Sequence, residues 1–103
     1  MDETYALVRR AIAEKLCVEA IYGGHRRQLC SHLIGTRAGE PRALFFQYAG
    51  GSSRGLAPGG DWRCLPLAHL GEISLREGKW HTRPHSHSQH CIDAVELEVE
   101  LGE

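Results

Sequence analysis

The chain has 103 residues, 42% of them hydrophobic and 24% charged, with a formal net charge of −1. That is enough apolar material for one modest core and a single domain, which excludes a disordered chain. No apolar run approaches the ~18 residues of a membrane span, and the N-terminus MDETYALVRRAIAEKL is charged and amphipathic rather than a signal peptide, so a cytoplasmic protein with no membrane partner is expected.

Asp2 can cap a helix, and Tyr5, Val8, Ile12 and Leu16 recur at spacings of three and four. The spacing predicts one amphipathic helix over residues 1–15, held by packing because so short a helix is marginal alone. From Leu16 the period changes to two. Leu16, Val18, Ala20 and Tyr22 alternate with Cys17, Glu19 and Ile21, and GGH then supplies a tight turn into RRQLCSHLIGT as the partner strand. After the turn RAGEP, RALFFQYAG carries Leu44, Phe46 and Tyr48 on one face and Ala43, Phe45 and Gln47 on the other. Aromatic residues on both faces predict an interior strand with both sides covered.

GGSSRGLAPGGD is longer than an ordinary hairpin loop, which makes it either mobile or functional. WRCLPLAHLGEISL reads as one broken or two short strands, with Pro66 restricted to an edge or bulge. In the last stretch, 91–101, Val95, Leu97, Val99 and Leu101 alternate with Glu96, Glu98 and Glu100, predicting a strand with one face buried. The reading is mainly β: an N-terminal helix, then a small, strongly bent antiparallel sheet or barrel of five or six strands over 16–78, a polar connector over 79–90 and a final strand.

Charge is distributed unevenly. Between residues 26 and 83, eight arginines and one lysine face four carboxylates, whereas residues 84–103 carry five carboxylates and no Lys or Arg. Scattered arginine on solvent-facing strands is the ordinary cause, but a basic middle section also fits phosphate or nucleic acid. Arg26, Arg27, Arg42 and Arg63 lie in or at the start of strands, where their forked donors can grip an anion, and Arg54 sits in the glycine loop. Tyr48, Trp62 and Phe45 could stack on bases if exposed.

HTRPHSHSQHC, residues 81–91, raises the question of a metal site, since His81, His85, His87, His90 and Cys91 supply enough N and S donors for zinc. Pro84 and two serines make the segment irregular and no second ligand pair accompanies it, so a polar crossover anchored by Trp80 and Ile92 is expected, with metal binding as the alternative. Cys30 and His32 share a strand face at i and i+2, about 6.5 Å apart along the strand; with no carboxylate evident to orient the imidazole, a core cysteine beside a surface histidine is expected rather than a nucleophilic dyad. Cys17, Cys30, Cys64 and Cys91 lie far apart without a CxxC pair and are expected to be reduced thiols. No P-loop, GxGxxG, GxSxG or HExxH motif occurs, so no reaction and no cofactor is implied.

The order of elements in AIAEKLCVEAIY, RRQLCSHLIGT, the aromatic strand, the glycine loop and WRCLPLAHLGEI resembles the WYL domain, over roughly residues 6–76. The naming triplet would fall at Ala43, Leu44 and Phe45, so those residues are not kept; Arg63, Leu65 and Leu67 match the later arginine-flanked segment, where Pro66 and His69 replace further basic residues. The resemblance implies an SH3-like (Sm-like) barrel without enzymatic activity, binding a small anionic ligand or single-stranded nucleic acid. Arg63 would be the leading contact, with Arg26, Arg42, Arg54, His69, Tyr48 and Trp62 as further candidates. A second expectation is an interaction protein that pairs through the VELEVELGE edge, as in a homodimer.

Overall fold

Helix α1, Glu3–Glu14, leads into six antiparallel strands: β1 (Cys17–Tyr22), β2 (His25–Arg37), β3 (Glu40–Gly50), β4 (Asp61–Pro66), β5 (Gly71–Arg76) and β6 (Ala94–Glu98). The structure is a computed structural model that describes residues 3–52, 55–82 and 90–100. Its sheet runs β4-β3-β2-β1-β5, with β6 added to β2. The mainly β class with one N-terminal helix is therefore the observed fold. No ladder joins β4 to β5 among the described residues, so closure into a barrel is not part of the observed pairing.

The 13-residue strand β2 organises the sheet. Along one edge it pairs β3; along the other, its first half pairs β1 through Cys17↔Cys30 to Tyr22↔His25, and its second half pairs β6 through Leu33↔Glu98 to Thr36↔Ala94. Gly35 permits that second pairing. A Cβ there would lie 2.1 Å from the Ala94 carbonyl oxygen and 2.8 Å from Ile92 Cγ2, so any side chain would push β6 away. β6 is shorter than the alternation of 91–101 implies, and Val95 stays 47% exposed while Val99 is buried.

Two register shifts set the phase of β2 and β3. One falls between Ser31 and Leu33, so His32 is an extra residue opposite Leu44; the other makes Tyr48 extra, since Leu29 opposes Gln47 and Gln28 opposes Ala49. A bulge of this kind bends the strand and sharpens its twist. The inner face carries Val18, Ala20, Leu29, Ile34, Ala43, Phe45 and Leu65, on which α1 lays Tyr5, Val8, Ala11 and Ile12. Each large side chain buried here contributes about 1.5–3 kcal/mol, which is what holds a 12-residue helix that would be marginal alone.

The outer face is covered as well. Leu33, Leu44, Cys91 and Ile92 form a second buried cluster joined by Trp62. A disulfide, Cys64–Cys91, with Cα atoms 5.5 Å apart, ties the returning chain to β4. This corrects the expectation of four reduced thiols: only Cys17 and Cys30 are free, both buried. The bridge links residues 27 apart in sequence, so it depends on the path of the chain back across the sheet. β4 is an edge strand, where Pro66 costs no ladder bond.

Candidate functional site

The alternation that fills the core ends in polar residues. Arg27 follows Leu29 on the inner face of β2, Gln47 follows Phe45 on β3, and Arg63, opposite Phe45 in register, follows Leu65 on β4. All three converge. Gln47, with no exposed surface, accepts from Arg27 Nη1 at 3.2 Å and from Arg63 Nε at 3.1 Å through its single Oε1. Its Nε2 donates to the Ala49 and Gly51 carbonyls at 3.1 and 3.0 Å, which fixes the amide orientation.

Arg27 is 4% exposed. Its Nε donates to the Tyr22 carbonyl at 3.2 Å and its guanidinium carbon lies 5.1 Å from the Tyr22 ring centroid, yet no carboxylate pairs with it among the described residues. Burial first, and the Arg63 charge second, lower its pKa from the ordinary arginine value. Buried charges are normally paired, so two cations sharing one neutral acceptor form a site short of negative charge. Arg63 has one carboxylate contact among the described residues, to Asp61 at 3.7 Å.

The described residues of the glycine-rich loop reach Arg63. Arg63 Nη2 donates to Ser52 Oγ at 3.4 Å and the Gly55 carbonyl at 3.3 Å, while Ser52 Oγ donates to the same carbonyl at 2.6 Å. Gly50 lets the chain leave β3 directly above Arg27. Its φ is +98°, and a Cβ there would lie 2.4 Å from the Arg26 carbonyl oxygen and 2.8 Å from Arg27 Cα.

The remaining expected contacts do not join this cradle. Arg26 points to the opposite face, paired with Glu19 at 3.2 Å and Glu72 at 3.5 Å. Arg42 pairs with Glu40 at 2.8 Å, and His69 is exposed on the short 3-10 turn Leu67–His69. Arg54 lies outside the described residues. Phe45 is fully buried. Trp62 packs edge-on against His32 and Phe46, with centroids 4.7 and 5.3 Å apart, and the Tyr48 ring is covered by His81, stacked at 4.0 Å. Neither ring is presented to a base. The residue missing from the expected ligand set is Gln47, with Arg27 as the second cation; their signal was a polar side chain continuing an apolar stripe.

His32 and Cys30 do not form a dyad. His32 is buried rather than at the surface, its ring 4.4 Å from that of Trp80. Its Nδ1 lies 2.9 Å from the Cys30 carbonyl, which can only accept, so Nδ1 donates, and Nε2 lies 2.8 Å from the Thr82 hydroxyl. Burial pushes the Cys30 thiol up to about 12, the opposite of what a nucleophile needs. The metal alternative loses Cys91 to the disulfide, and no cluster of three or more potential ligands occurs among the described residues. His85 and His87 lie outside them.

A groove of about 530 Å³ lies between the end of α1 and β6, over Ile12 and Leu97, with Glu14, Glu98 and Glu100 outnumbering Lys15 around it. Its charge is opposite to that of the arginine cradle. No helix among the described residues is long and apolar enough to cross a membrane. No protein-family model, curated protein or solved structure matches the chain.

Proposed function

We propose that this is a non-enzymatic binding module that takes a small anionic ligand on the Arg27–Arg63 pair beside the glycine-rich loop. The observation that carries this reading is a 4% exposed arginine with no carboxylate partner among the described residues, set against a second arginine. A phosphate or carboxylate would supply the missing charge. The reading keeps the resemblance to WYL domains, with Arg63 as the leading contact, and makes Arg27 the second cation in place of Arg26 and Arg42.

Of the two ligand classes, a small anion is favoured over single-stranded nucleic acid. Strand binding combines a basic track with exposed stacking rings, whereas Trp62 and Tyr48 are packed against other rings and Arg26 and Arg42 are held by carboxylates. The expected cytoplasmic setting sits poorly with Cys64–Cys91, because cytosolic thiols keep such bridges reduced. The cradle contains no cysteine and works in either compartment.

Calorimetric titration at low salt with inorganic phosphate, pyrophosphate, mononucleotides and a short single-stranded oligonucleotide tests the proposal. The small anions bind, more weakly as salt rises, and the oligonucleotide binds no more tightly than its mononucleotide. Silence from the whole panel at low salt would sink the reading.

A second reading has one observation in its favour. Among the described residues Val95 is the exposed large hydrophobic residue, and it lies on β6, which pairs there only with β2. Strand addition or a homodimer at this edge would cover it. Sedimentation showing a monomer at every concentration removes the homodimer.

A further inference from the structure

Cys17 and Cys30 are direct partners across the β1–β2 ladder. Opposed residues in such a ladder have Cα atoms about 4.5 or 5.5 Å apart, within the ~4.4–6.8 Å that a disulfide spans. Both cysteines are buried, 2% and 0% exposed. They also hold the segment that crosses above them. Cys17 Sγ donates to the Lys79 carbonyl at 3.4 Å, and the His81 amide donates to Cys30 Sγ at 3.1 Å.

We propose that Cys17 and Cys30 are an oxidation site, closed to a second intrachain disulfide by a low-molecular-weight disulfide such as oxidised glutathione. The thiolate of one cysteine attacks a sulfur of the reagent, whose S–S bond breaks and releases a thiolate that takes up the proton the cysteine lost. The second cysteine then attacks the mixed disulfide and expels the other half of the reagent as a thiol. The chain gives up two hydrogens and two electrons, and the reagent is reduced to two thiols.

A neutral product suits this place. Burial disfavours a lasting thiolate at Cys30, whereas a disulfide carries no charge and needs no hydrogen-bond partner. The thiols therefore stay inert while covered and react when the crossing segment lifts. Oxidation also alters that segment, because the Cys17 S–H is the donor that holds the Lys79 carbonyl, and a disulfide has no such donor. Trp80, next in sequence and against His32 and Lys15, reports the change.

The test avoids dependence on access to the buried pair. The full chain is reduced, denatured and refolded in a buffer of oxidised and reduced glutathione, and its disulfides are mapped. Cys17–Cys30 together with Cys64–Cys91 is expected; Cys17 and Cys30 left free, glutathionylated or joined to other cysteines overturns the proposal. Native protein with Cys64–Cys91 intact then shows slow loss of two thiols in oxidised glutathione, with a matching shift in tryptophan emission. Cys17→Ser abolishes that shift, and a shift that persists in this variant overturns the role of the Cys17 thiol in holding the segment.

Discussion

Replacing Arg27 by methionine separates a ligand cradle from a structural cation. In an ordinary buried ion pair, loss of one partner costs about 3–5 kcal/mol because the other charge is stranded. Arg27 has no such partner among the described residues. Its removal forfeits two hydrogen bonds from a charged donor, to Tyr22 and Gln47, each worth about 1.5–3 kcal/mol. Against this, the desolvation of the guanidinium, several kcal/mol for a buried ion, and its repulsion by Arg63 both disappear. Gln47 Oε1 keeps Arg63 as a donor. The terms nearly cancel, so Arg27→Met changes stability in urea by within about 1 kcal/mol. Ligand binding shifts differently. Phosphate at a hundred times its Kd stabilises the wild-type chain by about 2.7 kcal/mol; a tenfold loss of affinity in the variant reduces that gain to about 1.4 kcal/mol at the same concentration. Urea melts in phosphate and in chloride at matched ionic strength read both quantities. A variant destabilised by more than about 3 kcal/mol whose gain from phosphate is unchanged would refute the reasoning.

Gln47→Leu takes the shared acceptor from Arg27 Nη1 and Arg63 Nε and the donor from the Ala49 and Gly51 carbonyls, so a loss of about 3–5 kcal/mol in urea melts is expected. Replacing Cys64 and Cys91 together by serine opens a loop between residues 27 apart, worth about 3.5 kcal/mol by chain entropy; denaturation against the oxidised parent measures it. Gly35→Ala drives a methyl into the Ala94 carbonyl and costs at least about 2 kcal/mol, with amide protection in 94–98 lost first in hydrogen exchange. Burial and the hydrogen bond to Glu96 push the Tyr5 hydroxyl up to about 12. A raised pKa means stability fully present below pH 10 and lost as pH rises toward 12, so the stability gap to Tyr5→Phe narrows across that window; a gap independent of pH contradicts the contact.

Local period reveals the strands, because each burial pattern repeats every two residues wherever the ladder is regular. It identifies the two faces of β3 and restricts Pro66 to an edge. It does not tell which face the returning chain covers. His32 shares the outer face with Cys30, as counting implies, but the rings of Trp62 and Trp80 cover it there. Val95 fails for a related reason: pairing with β2 and the contacts of Glu96 with Tyr5 and Arg9 set the orientation of β6, and the apolar stripe alone does not encode them. Cys64–Cys91 depends on a return path with no local signature.

The cradle was half legible. Arg26 and Arg27 are adjacent and chemically identical, so composition cannot rank them; phase can, since Arg27 is two residues from Leu29 and Arg26 is one out of step. The same argument places Gln47 with Phe45. What phase cannot supply is the register that brings three strands' polar ends to one point, and it is register that turns Arg63 from a solvated surface charge into one of two cations on a single amide oxygen. Arg26, one residue away in sequence, is held instead by Glu19 and Glu72. An anion drawn to total positive charge would choose between them weakly; one drawn to uncompensated charge has reason to choose Arg27, which has no carboxylate partner among the described residues, beside Arg63, whose Asp61 contact is 3.7 Å long. Neutralising Arg26 by Arg26→Gln should therefore leave phosphate affinity within about twofold of the parent, because its charge is already largely cancelled by partners within hydrogen-bonding reach. A tenfold fall in that variant would mean that the anion responds to the general field of the basic face, and the cradle would lose its special status.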